Sequence, residues 1–190
     1  VDLAADGSVR AFVEKPAPGT EPSNLINAGT YVFEPSVLDR IPAASKVSVE
    51  RDTFQRLVAD GRLYGVATDD YWIDAGVPTL YRAANLDLLD GKRRTERCDA
   101  VAASADVAPD AIVEHSIVGA HVHVAPGATV IDSVLLPGAS VGNGARVERS
   151  LVMGDVGSAA IVQDSMVGAD GRVGAGESLV IDNIGSLITN

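Results

Sequence analysis

His115-Ser116-Ile117-Val118, Ile131-Asp132-Ser133-Val134-Leu135, Arg149-Ser150-Leu151-Val152 and Asp164-Ser165-Met166-Val167 are four renderings of one phrase. Their serines stand 17, 17 and 15 residues apart. Between them runs a six-residue beat. Val118, Val124 and Val130 are six apart, and after a five-residue step so are Leu135, Val141, Val147 and Met153. Small or apolar residues follow four places on, at Val122, Ala128, Val134, Ala139, Ala145 and Leu151. Gly119, Gly127, Gly138, Gly142 and Gly144 fall where corners would lie. Such a beat predicts a parallel β-helix. Three sides, one short by a residue, make a coil of 17. Each coil is a flat triangle whose inward side chains share a narrow axis, and each stacks on the next for its hydrogen bonds. About four coils fit before the end of the chain.

Composition changes where the repeat begins. Every aromatic residue lies at or before Tyr81. Of the 15 Lys and Arg, only Arg146, Arg149 and Arg172 lie beyond Arg97, so residues 1–97 carry about −3 and residues 98–190 about −8. The predicted organisation is a region over 1–91, a linker over 92–110 and the β-helix over 111–190, with the polar run Gly91–Arg97, after a helix-ending glycine, marking the boundary. A net charge of −11 argues against nucleic acid or an anionic membrane, which need a basic footprint. The single cysteine, Cys98, cannot form an internal disulfide, which fits a reducing, cytoplasmic setting. No apolar run reaches the roughly 18 residues of a membrane span. The chain begins at Val1 without a charged-then-apolar leader, so no signal peptide is visible and the start of the gene product is expected to be missing.

Within the first region, Val1–Leu3 and Val9–Val13 read as a hairpin about Asp6-Gly7. Pro16 ends the second strand and leaves Glu14 and Lys15 at its tip. Asn24–Phe33 and Leu63–Thr68 read as further strands, with Gly29 marking a close backbone approach. Pro35–Ile41 reads as a short helix. Ser48 is the expected N-cap of a second helix that ends at Gly61, with Glu50 and Asp52 at its positive end. A third helix is expected over Pro78–Asp90, with Leu80, Ala84 and Leu88 on one face. Alternating strands and helices make this an α/β region.

Glu14-Lys15-Pro16, then Ile26-Asn27-Ala28-Gly29-Thr30-Tyr31-Val32-Phe33, then Trp72-Ile73-Asp74-Ala75-Gly76-Val77-Pro78, stand in order ahead of the repeat. This set resembles the sugar-1-phosphate nucleotidyltransferases. Within them it is most similar to the mannose-1-phosphate guanylyltransferases, including the helix start Ser48-Val49-Glu50-Arg51. The resemblance implies a partial Rossmann-like nucleotidyltransferase domain followed by a left-handed β-helix, although ordinary crossovers are right-handed. It implies transfer of a nucleotidyl group from a nucleoside triphosphate, GTP, to a sugar-1-phosphate, mannose-1-phosphate. Lys15 would contact the sugar phosphate and Glu14 the sugar hydroxyls, with the Asn27 amide and the Gly29 backbone completing the pocket. Asp74 would be one of two carboxylates on Mg²⁺. Lys15 and Asp74 are thus the catalytic candidates, and a homo-oligomer built through the β-helix is the expected assembly. The family's glycine-rich loop with its Arg and the partner Asp of the metal site are absent from this chain, so the fragment alone is expected to be inactive. Gln55 stands where a Pro often follows the helix Phe.

Each of these residues has a plainer reading. Lys15 can be a solvated strand end, Asp74 a turn cap before Pro78, Asn27-Ala28-Gly29 a bulge, Trp72 a packing residue and Glu50 a helix-start charge. Asp69-Asp70 reads as an exposed turn. His121 and His123 raise a second class, a hexapeptide acyltransferase with a catalytic histidine, against which they read as surface residues. A third class is a non-catalytic subunit that binds a nucleotide sugar or assembles the enzyme.

Overall fold

Gly7 takes φ 85°, the left-handed value that the Asp6-Gly7 turn requires. Across that turn Asp2–Leu3 (β1) and Val9–Ala11 (β2) pair antiparallel. The computed structural model describes residues 1–93 and 99–180. Cys98, the end of the linker run (94–97) and residues 181–190 lie outside the described residues. The chain divides into two compact units, Val1–Trp72 and the remainder from Ile73.

In the first unit Pro35–Arg40 forms a 3₁₀ turn. Ser48 caps the next element as expected, its hydroxyl accepting from Arg51 N at 3.2 Å. One wide turn, Val49–Thr53, leads into helix α1, Phe54–Ala59. Gly61 at φ 64° ends it. Phe54 is the hub of the core. Phe12 and Tyr31 meet it edge-on, each with ring centroids 5.0 Å away, and Phe33 lies 6.0 Å away. Val9, Val37 and Leu57 complete the cluster.

The two further strands expected here do not form ladders. Asn24–Phe33 bends at Asn24 and Gly29 and forms no strand among the described residues, and Leu63–Thr68 makes one antiparallel bridge, Ser8 to Tyr64. Their outward side chains are bare: Val32 is 98% and Val66 95% exposed. Strand-prone sequence needs a neighbouring edge to bond with; among the described residues Asn24–Phe33 has none, and Leu63–Thr68 meets one only at Tyr64.

In the second unit helix α2, Pro78–Leu89, opens with Pro at its first position, and Gly91 at φ 72° follows its end. Its buried residue is Leu86, whereas Leu80, assigned to the inner face, is 40% exposed.

The repeat forms a parallel β-solenoid. One side stacks β3 (Asp106–Val107), β6 (His123–Val124), β9 (Ser140–Val141), β12 (Asp155–Val156) and β15 (Arg172–Val173). The second stacks β4 (Ile112–Glu114), β7 (Thr129–Ile131), β10 (Arg146–Glu148), β13 (Ile161–Gln163) and β16 (Ser178–Val180). The third stacks β5 (Ile117–Val118), β8 (Val134–Leu135), β11 (Leu151–Val152) and β14 (Met166–Val167). The ladder begins upstream of Ala111, since Val101 bridges Val118 and Ala102 N donates to Val118 O at 2.9 Å.

The serines explain the five-residue step. Inward positions run Val130, Ser133, Leu135, so this corner is one residue shorter than the others. The residue before each serine takes the sharp left-handed bend: His115, Asp132, Arg149 and Asp164 have φ between 41° and 48°. Each buried hydroxyl donates to the carbonyl two residues back, as Ser133 does to Ile131 O at 2.7 Å. Each of the first three accepts the N–H of the next serine: Ser133 N reaches Ser116 Oγ and Ser150 N reaches Ser133 Oγ, both at 3.0 Å, and Ser165 N reaches Ser150 Oγ at 3.1 Å. The shorter corner also moves the axis residues. Leu135 and Val152 join the axial cluster, whereas Val134, Leu151 and Met153, placed on the axis by the beat, do not, although Val134 and Leu151 are themselves buried.

The 15-residue coil has its own cause. Ser140 N bonds Gly154 O as His123 N bonds Ala139 O, so the span from Leu135 to Ala139 is matched by the shorter span from Val152 to Gly154. A Cβ at Gly154 would fall against Gly171 O and within 2.5 Å of Gly168 O. Only glycine fits that close approach.

Candidate functional site

Glu14 and Lys15 follow β2, and the start of α1 holds the chain just before them. Gln55 Nε2 donates to Phe12 O at 2.7 Å, while the Phe12 ring packs on Phe54. Lys15 takes φ 53°, a backbone state that costs a non-glycine residue roughly 1–3 kcal/mol. Its side chain is exposed and has no hydrogen-bond or ion-pair partner among the described residues.

Asn27 is fastened on three sides. Its Nδ2 donates to Tyr31 Oη at 2.6 Å and to Glu50 Oε1 at 3.0 Å, and its Oδ1 accepts from Gly29 N at 3.0 Å. The Tyr31 hydroxyl donates to the same Glu50 oxygen at 3.1 Å. Burial pushes the Tyr31 phenol above its ordinary pKa, opposed by the Asn27 bond and reinforced by the Glu50 and Glu14 carboxylates. Glu14 therefore stands within electrostatic reach of the cluster. Trp72 Nε1 donates to Ala28 O at 3.1 Å, tying Trp72 to the Asn27-Ala28-Gly29 turn, where Gly29 has φ 74°.

Four of the residues singled out in the sequence, Glu14, Lys15, Asn27 and Gly29, thus lie in one unit, on segments clamped by the 48–55 helix start. Sequence reasoning missed three members of this framework. Glu50 is a helix-start charge and also the shared acceptor of Asn27 and Tyr31. Tyr31 and Gln55 carried no periodic signal, because their partners lie on remote segments. A depression of about 250 Å³ beside Tyr31, Phe33, Phe54 and Tyr64 contains none of those four residues.

Asp74 belongs to the second unit. It is exposed, and its Oδ1 accepts from Gly76 N at 3.0 Å, the turn ahead of Pro78 that the plainer reading anticipated. Among the described residues no group of three or more His, Cys, Asp or Glu could hold a metal ion. Asp70 is held in an exposed turn by Thr68 Oγ1 at 2.7 Å. His121 is exposed at a left-handed corner of φ 59°. His123 is also exposed and contacts Asp106 at 2.9 Å on an outer face. No helix among the described residues is long and apolar enough to cross a membrane.

Comparison with known proteins places both regions. The nucleotidyl transferase family matches residues 1–91, and the family described as GlmU-like, C-terminal hexapeptide matches residues 83–183. A mannose-1-phosphate guanylyltransferase of Mycobacterium tuberculosis is 38% identical over 154 residues, 74% of this chain and 41% of that protein. A probable mannose-1-phosphate guanylyltransferase of Oryza sativa subsp. japonica is 32% identical over 177 residues, 90% of this chain and 45% of that protein. One from Arabidopsis thaliana is 31% identical over 170 residues, 88% of this chain and 45% of that protein. The chain therefore spans less than half the length of these relatives. The 17-residue coils, the serine column and the family match over more than half of the chain agree: this chain belongs to the GlmU-like C-terminal hexapeptide family, its left-handed β-helix preceded by an α/β nucleotidyl transferase segment.

Proposed function

We propose that this chain forms the sugar-phosphate-binding part and β-helix of an enzyme that transfers a nucleotidyl group from GTP to mannose-1-phosphate. In that reaction a phosphate oxygen of the sugar phosphate attacks the α-phosphorus as its bond to the departing pyrophosphate breaks. Both reactants are anions, so the protein's task is in-line positioning and supply of positive charge. The observation that carries this reading is the clamped cluster of Asn27, Tyr31 and Glu50 beside Glu14, on the segment next to the Lys15 ammonium, which has no partner among the described residues. Hydroxyl-rich ligands are recognised by such fixed donors and acceptors, and a lysine serves as a point charge for phosphate.

In this reading Glu14 and the Asn27-Gly29 turn take the sugar hydroxyls, and Lys15 takes the phosphate. Asp74 offers a carboxylate whose Oδ1 already serves the turn. Mg²⁺ is commonly held by one or two carboxylates together with substrate phosphates and water, so Asp74 fits as one ligand of such a set. When bound, the ion would shield phosphate charge. GTP and mannose-1-phosphate are favoured by the names of the relatives. The β-helix is assigned to homo-oligomer assembly, and the enzyme to the cytoplasm.

The test is steady-state kinetics of pyrophosphate release by the enzyme that carries this chain, with GTP and mannose-1-phosphate. Asp74→Ala is expected to lower Mg²⁺-dependent turnover by about 100-fold or more. Lys15→Ala is expected to raise KM for the sugar phosphate more than for the triphosphate. Near-normal kinetics in both variants would remove the assignment.

A further inference from the structure

His115 occupies the first of the four left-handed corners, and both of its ring nitrogens face carboxylates. Nδ1 lies 2.5 Å from Asp132 Oδ1, one coil along, and Nε2 lies 3.0 Å from Asp90 Oδ1, at the end of α2. A neutral imidazole has one N–H and one lone pair, and an ionised carboxylate can only accept. Neutral His115 therefore satisfies one aspartate and turns a lone pair toward the other. Only the imidazolium donates to both.

The rest of α2 is held by contacts that do not involve His115. Leu86 is buried, and Arg82 Nη1 donates to the backbone carbonyl of Asp132 at 2.8 Å. Asp132 is thus gripped twice, by Arg82 through its backbone and by His115 through its side chain. Asp90 has a second suitor in Lys92, whose Nζ lies 3.5 Å from Asp90 and 2.5 Å from Asp87.

We propose that His115 is a proton-operated clasp: charged, it fastens the end of helix α2 to the β-helix through Asp90 and Asp132, and on losing its proton it releases Asp90 to Lys92 while Leu86 and Arg82 keep the rest of the helix docked. The inference concerns the docking of this helix alone and does not rest on the proposed reaction.

The carboxylates around the clasp are Asp87, Asp90, Asp132, Asp164, Glu114 and Glu148, and the cations are Lys92, Arg82 and Arg149. Lys92 is pushed up by Asp87, and Arg149 by Asp164, its bidentate partner at 2.6 and 2.7 Å. For His115, the hydrogen bonds to Asp132 and then Asp90 raise the pKa against desolvation. A raised folded value means that the clasp contributes fully below the ordinary histidine range, about 6.5, and is lost as pH climbs through the raised value. Because the imidazole is 43% exposed, its effect belongs to the surface range, about a two- to five-fold change in helix opening.

The experiment is amide hydrogen exchange of residues 78–90 in the full chain at pH 6 and pH 9, corrected for the intrinsic chemical rate. Opening is expected to be about two- to five-fold more frequent at pH 9. His115→Asn, which tolerates the left-handed corner, should open equally at both pH values and at least as often as the wild-type protein at pH 9. Asp90→Asn leaves the corner untouched and carries the same expectation should His115→Asn fail to fold. His123→Asn should keep the wild-type pH dependence. Wild-type protection that ignores pH, or a pH dependence that survives in Asp90→Asn, would overturn the clasp.

Discussion

From Val101 to Val180 the strands of each coil bond to those of the next, whereas Asn24–Phe33, equally rich in strand-forming residues, bonds to no ladder among the described residues. The β-helix delivers a matching edge every 17 or 15 residues, so two-residue strands suffice. The unit of residues 1–72 lacks that repetition and is organised by side chains, with three aromatic rings grouped around Phe54 and polar clamps from Glu50 and Gln55. Strand propensity is realised where a partner edge is within reach, and otherwise the sequence forms no strand and leaves its valines in water.

The largest effect should come from striking the aromatic hub. Phe54→Ala removes the ring shared by Phe12, Tyr31 and Phe33 and should destabilise residues 1–72 by about 3–5 kcal/mol. Urea unfolding followed by hydrogen exchange should show this unit opening while the β-helix stays protected. Simultaneous loss of both would erase the contrast between the regions.

Gly154→Ala should come next, because its methyl would meet backbone carbonyls rather than flexible side chains. Overpacking of this kind costs about 3 kcal/mol, and the damage should be confined to the coils around Gly154 and Gly171. Gly138, with nothing within 4 Å of an added Cβ but φ 83°, should cost only about 1–2 kcal/mol on substitution by Ala. Equal midpoints for the two variants would show that the close approach is not what selects Gly154.

Ser133→Ala should cost about 1–3 kcal/mol, since it strands the buried N–H of Ser150 without an acceptor. Exchange of that amide in the variant is the direct reading, and an unchanged rate would mean the column is ornamental.

The smallest effect should appear in acid. Arg149 holds the Asp164 carboxyl below its ordinary value, so this pair supports the fold above the unfolded carboxylate value and its support fades as pH falls through the depressed one. Both side chains are part-exposed, so only a slight fall in the urea midpoint below about pH 4 is expected. Arg149→Gln should abolish that fall.

Much of the β-helix was legible because its physics is periodic: the valine beat, the serine spacing and the loss of aromatics all report one narrow axis. The beat misplaced Val134, Leu151 and Met153, because a hexad count cannot reveal which corner is shortened; the left-handed φ of Asp132 and Arg149 does that. In the first unit, the Asp6-Gly7 hairpin, the Ser48 cap and the Gly61 stop were readable, since each is a contact between near neighbours. The predicted strands at 24–33 and 63–68 failed because pairing is a property of two segments. Glu14, Lys15, Asn27, Gly29 and Asp74 could be singled out as motif residues, yet nothing in their spacing showed that Glu50 and Tyr31 hold Asn27, or that Gln55 holds the strand end before Lys15.

The order of residues alone determined that the chain has two regions and that the second is a stack of three-sided coils, because a repeat imposes the same local geometry again and again. Tertiary structure alone decided which side chains share a hydrogen bond across 17 to 50 residues: Glu50 with Asn27, Arg82 and His115 with Asp132. Such bonds depend on how separate segments are brought together in space, and that information is carried by no short stretch of the chain.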